Sequence, residues 1–278
     1  MSDNPRMRTV EEFYGTGFAE EEEFEEALDR SLDPLGFDLL FDLVTKLALP
    51  PGSAAMDVGC RDGFFSIELA RRYGFTVHGV EPVRRHLDGA ADALAELAAE
   101  EPEVAGRVRI EAGVAQQLSA PDGSVDLIWC RDVLVHVEDL GEAFREFHRV
   151  LRPGGHAVVY QMMATDWLEP AEADRLWPPA GIHASSTDPD NFEAALDGAG
   201  LKIAQRIVLS SQWRESMEEN GMGMTSRQLL HTARLLRGRA DFEGRFGVES
   251  YEVMLTNCLW GVYQMIGKLC PRVYVLTR

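Results

Sequence analysis

AAMDVGCRDGFFSIELA, residues 54–70, is the stretch that decides the fold of this chain. Apolar and β-prone residues end at Asp57 and at two glycines, Gly59 and Gly63, and residues with helical periodicity follow. This order predicts a strand, a tight turn and a helix, the pattern of a loop that holds a nucleotide cofactor. Glycine permits close backbone approaches, and the N–H groups at the start of the helix attract an anion. The same pattern is also typical of turns that serve only packing.

Strands and helices alternate after this turn. The run Thr76–Val80 predicts a second strand, and it ends at Glu81, about 20 residues past the glycines, where an acid can accept both hydroxyls of a ribose. This spacing favours a nucleoside site. Further strands are predicted at 108–112, 125–130, 156–161, 201–209 and 272–277, and helices at 140–151 and 192–199.

Four motifs carry a resemblance to a known family. They are DVGCRDG at 57–63, VHGVEP at 77–82, SVDLIWCRDVLVHV at 124–137 and RVLRPGG at 149–155. With them the chain resembles the class I S-adenosylmethionine-dependent methyltransferases, in the small-molecule branch that includes the sterol, tocopherol and ubiquinone methyltransferases. The resemblance covers roughly residues 35–210 and the final strand. It implies an α/β fold with a Rossmann-like, doubly wound, seven-stranded sheet whose last strand is antiparallel.

The resemblance also implies a cofactor, S-adenosyl-L-methionine, with S-adenosyl-L-homocysteine as the product and no metal. By matched position, the glycine loop binds the methionine half, Glu81 holds the ribose, residues 114–116 flank the adenine with Pro82, and residues 130–131 close over the methionine amino group. An N-terminal segment is expected to fold over this site. The implied cofactor contacts are Tyr14, Asp57, Gly59, Cys60, Arg61, Gly63, Glu81, Pro82, Val114, Ala115, Gln116, Cys130 and Arg131.

Two of these positions depart from the family pattern. Arg61 stands where a glycine is usual, and Val114 stands where an acid often meets the adenine amino group. Arg61 adds a cation to the loop, and the sequence leaves open whether it pairs with the cofactor carboxylate, with a substrate anion or with Asp62.

Segments outside the predicted sheet form candidate caps on a single domain, 1–278. They are an N-terminal helical segment, about 1–45, and insertions at about 164–191 and 211–268. In an open α/β sheet the ligand crevice lies beyond the carboxyl ends of the strands, so the insertions are expected to cover the substrate. Their aromatic and methionine side chains suit an organic, partly apolar substrate, although the same residues also suit the core of a cap. The predicted substrate contacts are Tyr160, Trp213 and Tyr263.

His136 is the candidate catalytic base. It lies just beyond the fourth predicted strand, at the end of the sheet where ligands bind, and an imidazole can deprotonate a hydroxyl or an amine. A packing or capping role for His136 is the alternative. Other candidates for the base are Asp132, Tyr160, His183 and Glu215.

Composition excludes some partners. A net charge of −19 argues against a nucleic acid, and no apolar run is long enough to span a bilayer. The start of the chain lacks a signal-peptide core, so a cytoplasmic protein is expected. The four cysteines form neither a C-x-x-C pair nor metal-ligand spacing, which favours free thiols. The sequence leaves a homodimer open.

Three functional hypotheses follow. The leading one is a methyltransferase that acts on O, N or C of a small, partly apolar organic acceptor, in specialised metabolism. A nicotinamide-dependent oxidoreductase is less favoured, because the turn lacks the middle glycine of a G-x-G-x-x-G fingerprint. The third is a protein that binds S-adenosylmethionine without transferring methyl, as a sensor or as a helper of a cyclisation.

Overall fold

The structure is a computed structural model that describes residues 6–16 and 21–278. The chain divides into two units, residues 1–34 and 35–278, each described by itself. In the first unit a π-helical turn spans Glu12–Thr16 and helix α1 spans Glu21–Asp29. The rings of Phe13 and Tyr14 meet edge to face there, with centroids 5.0 Å apart.

Seven strands of the second unit form one sheet. They are β1 (Ala54–Val58), β2 (Thr76–Glu81), β3 (Val108–Ala112), β4 (Val125–Arg131), β5 (Leu151–Ala164), β6 (Lys202–Val208) and β7 (Leu269–Thr277). Their order across the sheet is β3-β2-β1-β4-β5-β7-β6. The pairs from β3 to β5 are parallel, and β7 is antiparallel to both β5 and β6. The predicted fold class, a doubly wound seven-stranded sheet with its last strand antiparallel, is confirmed.

Helices cover both faces of this sheet. They are α2 (Leu39–Lys46), α3 (Phe64–Tyr73), α4 (Arg84–Glu100), α5 (Pro102–Ala105), α6 (Leu140–Val150), α7 (Pro170–Ala180), α8 (Pro189–Gly198), α9 (Gln212–Glu219), α10 (Met224–Arg237), α11 (Arg239–Phe246) and α12 (Val248–Met265). Alternate side chains of β4 point to opposite faces. Ile128 joins the apolar cluster that contains Phe144 of α6, whereas Trp129 joins the one that contains Phe41 of α2 and Leu69 of α3.

The order of the strands reverses between β1 and β4, which places the ligand crevice at their carboxyl ends. In the parallel register Asp57 lies opposite Trp129, and Val58 lies opposite Cys130. The loops that leave these two strands are therefore neighbours. The loop after β1 is the glycine loop, and the loop after β4 follows Arg131, the last residue of that strand.

Several element boundaries differ from the sequence prediction, among them the starts of β5 and α8. The fifth strand was expected at 156–161, after a stop at RPGG, but β5 begins at Leu151 because Leu151 pairs with Val125 across a register shift in β4. Helix α8 begins at Pro189, before the predicted position 192. Its start is fixed by Asp188, whose side chain accepts a 2.8 Å hydrogen bond from the N–H of Asn191.

The segment between β6 and β7 is helical, as predicted, and comprises α9 to α12. Arg214 of α9 is buried, and its Nε donates a 2.6 Å hydrogen bond to Gln264 Oε1 of α12. Gly261 allows α10 to pack close by, because a Cβ at that position would lie 1.7 Å from Gln228 Oε1. Among the described residues, no helix combines the length and the apolar character needed to cross a bilayer.

Candidate functional site

The glycine loop folds back on β2. The N–H groups of Gly59 and Cys60 donate to the carbonyl of Val80 at 2.8 and 3.2 Å. Gly59 has a φ of 74°, and a Cβ there would lie 2.2 Å from Cγ2 of Val133, so both the backbone angle and the close approach require glycine. The turn thus brings the carboxyl ends of β1, β2 and β4 together.

Arg61 takes the backbone conformation of the glycine that it replaces. Its φ is 51°, in the left-handed region, and its N–H donates a 3.0 Å hydrogen bond to Glu81 Oε2. The Glu81 side chain is buried, and its Oε1 accepts from the N–H of Val83 at 3.0 Å and lies 3.1 Å from His86 Nδ1. A carboxylate offers about four lone-pair sites, so one site remains on Oε2. A second ribose hydroxyl would have to take the place of His86.

A cavity of about 770 Å³ opens in front of these groups. This volume lies within the about 300–1,000 Å³ typical of cofactor and small-molecule sites. One side is formed by Gly59, Arg61 and Glu81, together with the predicted adenine contacts Pro82, Val114, Ala115 and Gln116. The residues that the motifs assigned to the ribose and the adenine therefore line the same cavity as Gly59 and Arg61 of the glycine loop.

The rest of the lining of this larger cavity comes from the loop after β4 and from the insertions. Pro179 and Ala180 of α7 and Ile182 contribute apolar surface. Helix α12 contributes Val253, Thr256, Asn257 and Trp260, which follow one another at helical spacing and form one face of that helix. Sequence reasoning noted Trp260 as aromatic surface of the cap but did not name Val253, Thr256 or Asn257, although the i, i+3, i+4 and i+7 spacing of the four positions was visible in the sequence.

His136 and Asp132 also face the larger cavity. His136 ends a 3₁₀ turn, Leu134–His136, and its Nδ1 lies 2.8 Å from the carbonyl oxygen of Gly181. A carbonyl can only accept, so Nδ1 carries the proton and Nε2 keeps a free lone pair. Asp132 has a φ of 57°, and its Oδ1 is buried without a hydrogen-bond partner among the described residues. Burial raises the pKa of Asp132. The nearby Arg131 and His136 lower it and so offset part of this increase.

A smaller cavity of about 260 Å³ lies beside the first and shares Gly59, Arg61 and Arg131 with it. Asp57 and Cys60 line it, together with Asp62, Trp129 and the rings of Phe37, Phe64 and Phe65. Ser66 Oγ donates a 2.6 Å hydrogen bond to Asp57 Oδ2. Burial raises the pKa of Asp57 to about 7, although this hydrogen bond opposes the shift.

Aromatic rings surround the guanidinium of Arg131. Its Cζ lies 5.0 Å from the ring centroid of Phe65, 5.6 Å from that of Tyr160, 5.8 Å from that of Phe37 and 6.0 Å from that of Trp213. Cation–π attraction therefore holds this cation at the junction of the two cavities.

The predicted substrate contacts lie elsewhere. Tyr160 is 3% exposed and Trp213 is 2% exposed, their rings pack 5.1 Å apart, and neither lines the larger or the smaller cavity. Helix α9 turns Trp213 inward, so both rings support Arg131 instead of facing an acceptor. Tyr263 also lines neither cavity. Its ring centroid lies 5.6 Å from Lys268 Nζ.

The remaining predicted residues are placed as follows. Cys130 is buried near the carboxyl end of β4. Burial raises the pKa of its thiol and that of the Cys60 thiol. Gly63 is the N-cap residue of α3, with a φ of 81°, and it lines neither cavity. Tyr14 belongs to the first unit, so its contact with a cofactor stays a prediction. His183 and Glu215 line neither cavity.

No group of three His, Cys, Asp or Glu side chains arranged to hold a metal occurs within residues 6–16 and 21–278. All four cysteines are free.

Known proteins resemble this chain in sequence. A family model described as a methyltransferase domain matches residues 33–206. Methyltransferase GfsG of Streptomyces halstedii is 30% identical over 192 residues, which cover 66% of each chain. The 2-methyl-6-phytyl-1,4-hydroquinone methyltransferase of Synechocystis is 30% identical over 59% of this chain and 51% of its own. The chain therefore spans less than two thirds of the length of these two relatives. The 27-O-demethylrifamycin SV methyltransferase of Amycolatopsis mediterranei is 29% identical over 77% of this chain and 78% of its own.

Solved structures share the fold. The [4+2]-cyclase SpnF has a TM-score of 0.65 at 24% identity, over 87% of this chain and 81% of its own. Geranyl diphosphate methyltransferase in complex with S-adenosylmethionine has a TM-score of 0.62 at 17% identity, over 86% and 84%. At these identities the likeness concerns the fold alone. The family match, in contrast, covers more than half of the chain. The protein therefore belongs to the methyltransferase-domain family, in the S-adenosylmethionine-dependent class that its four motifs indicate.

Proposed function

We propose that this protein transfers a methyl group from S-adenosylmethionine to O, N or C of a small, partly apolar organic acceptor in specialised metabolism. One observation carries the proposal. Gly59 and Glu81, which the motifs assign to the cofactor, and His136 and Trp260, which come from the loop after β4 and from α12, line the same cavity. A donor and an acceptor could therefore meet there without leaving the protein.

The residues of the cavity fit the cofactor. Glu81 has a lone-pair site left for a ribose hydroxyl, and Pro82, Val114 and Ala115 offer apolar surface for a purine. S-adenosylmethionine, when bound, supplies a methyl group on a positively charged sulfur, which makes the methyl carbon electrophilic. The protein then has to align the acceptor and to exclude water.

The lining from the loop after β4 and from the insertions suits an acceptor with an apolar body. Val135, Val137, Ile182 and Val253 offer aliphatic surface there, and Trp260 offers an aromatic face. Polar contacts come from Asn257 and Thr256. A few polar groups in an apolar wall orient a ligand and determine its specificity. The name of the 27-O-demethylrifamycin SV methyltransferase is in keeping with such an acceptor.

We assign His136 as the base where the acceptor carries a proton that must be removed. Its Nδ1 is committed to Gly181, which leaves Nε2 to accept that proton. The neighbouring Asp132 would stabilise the resulting imidazolium, because the two side chains interact electrostatically. An acceptor that is already nucleophilic would need only alignment.

We also propose that the chain works as one domain with helical caps. Helices α7 and α12, from the insertions at 164–191 and 211–268, supply the acceptor wall. A role of the N-terminal segment, about 1–45, in closing the site remains part of this proposal. The acidic surface, with a net charge of −19, is in keeping with a small-molecule acceptor and not a nucleic acid.

Two measurements test this function. Thermal shift with S-adenosylhomocysteine and with NAD separates the cofactor classes, and a shift with NAD alone would contradict the proposal. Formation of S-adenosylhomocysteine is then measured against a library of hydroxylated, aminated and phenolic acceptors. The non-methylating alternative would be favoured if the protein binds the cofactor but forms no S-adenosylhomocysteine with any acceptor. This holds also for an acceptor that the protein converts to a cyclised product.

A further inference from the structure

We propose that Arg214 of α9 is a positioning residue for the acceptor, because its buried guanidinium links two segments that line the larger cavity and holds them in one arrangement. One segment is the loop after β4, and the other is the cavity face of α12. Arg214 itself lines neither cavity, so it acts through the residues that it contacts. The inference rests on the proposed function, since it concerns the part of the lining that we assign to the acceptor.

The first branch of contacts leads from Arg214 to the loop after β4. Arg214 Nε donates a 2.6 Å hydrogen bond to Gln264 Oε1 of α12. The amide nitrogen of Gln264 donates in turn to the hydroxyl of Tyr160 in β5, at 3.4 Å. The carbonyl oxygen of Tyr160 accepts a 2.8 Å hydrogen bond from the N–H of Asp132, which lines the larger cavity. The first branch therefore ends on the backbone at the start of the loop that carries His136.

A second branch leads from Arg214 to the cavity face of α12. Arg214 Nη1 donates a 3.2 Å hydrogen bond to Gln228 Oε1 of α10. Gln228 Nε2 donates to the backbone carbonyl of Asn257 at 3.2 Å, and Asn257 lines the larger cavity. Gly261 leaves room for this contact, because a Cβ there would lie 1.7 Å from Gln228 Oε1. The second branch therefore ends on the helix face that also carries Trp260.

The donors of Arg214 determine how both glutamine amides are oriented. A guanidinium can only donate, so the oxygen of each amide must face it and the NH2 group of each must point away. This orientation directs the two NH2 groups to the hydroxyl of Tyr160 and to the carbonyl of Asn257. An apolar side chain at position 214 would leave both orientations undetermined.

The burial of Arg214 favours positioning over a simple contribution to stability. Arg214 is 8% exposed, and burial lowers the pKa of its guanidinium, an effect that the nearby Tyr160 and Asp132 oppose. Removing a cation from water costs free energy, and the hydrogen bonds of a buried ion often do little more than offset that cost. What the guanidinium adds is a set of directional donors, which selects one packing arrangement of α9, α10 and α12.

This arrangement matters for the acceptor and not for the cofactor. In the proposed reaction His136 takes a proton from an acceptor whose apolar body lies against Trp260. A shift between the loop after β4 and α12 would misalign that acceptor. The residues assigned to the cofactor, among them Gly59 and Glu81, belong to neither branch and would stay in place.

Amide hydrogen exchange tests the linkage without acceptor or cofactor. Arg214→Met removes both branches, whereas Gln264→Met removes only the first and Gln228→Met only the second. In Arg214→Met, residues 132–137 and 253–260 should both exchange about tenfold faster or more, as expected for the loss of hydrogen bonds to a charged group.

The single-branch variants should separate the two segments. Gln264→Met should accelerate exchange in 132–137, and Gln228→Met should accelerate it in 253–260. The segment at the end of the intact branch should change by no more than about threefold, because its contacts remain. Arg227→Met, at an exposed arginine of α10, is the matched control and should exchange like the wild type.

Kinetics with a converted acceptor gives a second readout. Arg214→Met should raise the KM for the acceptor by about fivefold or more, while the affinity for S-adenosylhomocysteine changes by less than about twofold. Arg227→Met should leave both quantities unchanged. A role in stability alone would not separate the acceptor from the cofactor in this way.

The outcomes separate the inference from the proposed function. Unchanged exchange in Arg214→Met overturns the inference, and so does exchange that is uniformly faster across the sheet. An equal loss of acceptor and cofactor binding overturns it as well. The expected exchange pattern in a protein that neither binds S-adenosylhomocysteine nor forms it contradicts the proposed function instead. If near-ultraviolet circular dichroism shows that Arg214→Met does not fold, the two glutamine variants carry the test.

Discussion

The backbone N–H of Arg61 donates a 3.0 Å hydrogen bond to Oε2 of Glu81, which ties the glycine loop to the end of the neighbouring strand. The side chain that the motifs assign to the ribose is therefore also a structural support of the loop that meets the methionine half. A change at Glu81 should affect both halves of the cofactor site.

Glu81→Gln should weaken the binding of S-adenosylhomocysteine by about 1–3 kcal/mol, the range for charge-assisted hydrogen bonds. Glutamine replaces one of the two carboxylate oxygens by an NH2 group, which accepts no hydrogen bond. Either the N–H of Arg61 or that of Val83 therefore loses its acceptor. Titration calorimetry measures the change, and Glu96→Gln on the exposed side of α4 is the control. Equal affinities for wild type and Glu81→Gln would place the ribose elsewhere.

Asp57→Asn should stabilise the protein without ligand at pH 8 and leave it nearly unchanged near pH 4. The pKa of Asp57 is about 7 in the fold against an ordinary value of 3.8, so the folded state binds the proton more tightly. The stability that this contributes is complete below pH 3.8 and is lost as pH rises through about 7. A difference of about 3 pKa units sets an upper limit of about 4 kcal/mol. Urea denaturation at both pH values measures the effect.

The same substitution should weaken cofactor binding. If ionised Asp57 provides a negative charge for the ammonium group of the cofactor, wild-type affinity for S-adenosylhomocysteine should rise from pH 6 to pH 8, and the Asn variant should lack this rise. Calorimetry across that range supplies the comparison. A variant that is less stable at pH 8 would show that the carboxylate is ionised and well solvated in the fold.

His136→Ala should lower kcat by about 10²–10⁴-fold if the imidazole removes a proton from the acceptor. The affinity for S-adenosylhomocysteine should change by less than about twofold, since we assign His136 to the acceptor and not to the cofactor. His183→Ala is the matched control. His183 lies two residues after Gly181, the hydrogen-bond partner of His136, but it lines neither cavity. A loss of less than about tenfold in His136→Ala would assign the catalysis to alignment alone.

Trp260→Ala and Trp213→Ala should behave differently, although both tryptophans belong to the same insertion. Trp260 lines the larger cavity, so its loss should raise the KM for the acceptor or abolish turnover and leave cofactor affinity unchanged. Trp213 is buried against Phe37 and Tyr160, so its loss should lower the free energy of unfolding by about 3–5 kcal/mol. Steady-state kinetics and denaturation together distinguish the two. A raised KM with normal stability in Trp213→Ala would contradict this assignment.

The sheet could be predicted because its strands end at residues that break the pattern. β1 and β2 run into Asp57 and Glu81, and helical periodicity restarts shortly after each. The same local reasoning failed at RPGG, where glycine and proline suggested a stop. Pairing with Val125 carries the strand back to Leu151, and this is a tertiary interaction that local propensity does not contain.

The cap could be predicted as helical but not in its detail. A tryptophan after a strand end can face a ligand or the core, and composition does not distinguish them. Helix α9 turns Trp213 toward Arg131, while α12 turns Trp260 toward the cavity. The spacing of residues 253, 256, 257 and 260 identifies a face of α12, but only the packing of α12 against α7 shows where that face points.

The helices α9 to α12 leave the sheet at β6 and return at β7, and these two strands are adjacent and antiparallel, with Val208 opposite Arg272. Topologically the whole insertion is the loop of a β-hairpin. The two ends are already joined by the sheet, and the N–H of Leu209 donates to the carbonyl of Pro271 at 3.0 Å. A longer loop adds little to the entropy of closure. The acceptor wall can thus lengthen, shorten or be exchanged between genes while the strands that frame the glycine loop keep their register, so acceptor choice can diverge faster in evolution than cofactor use.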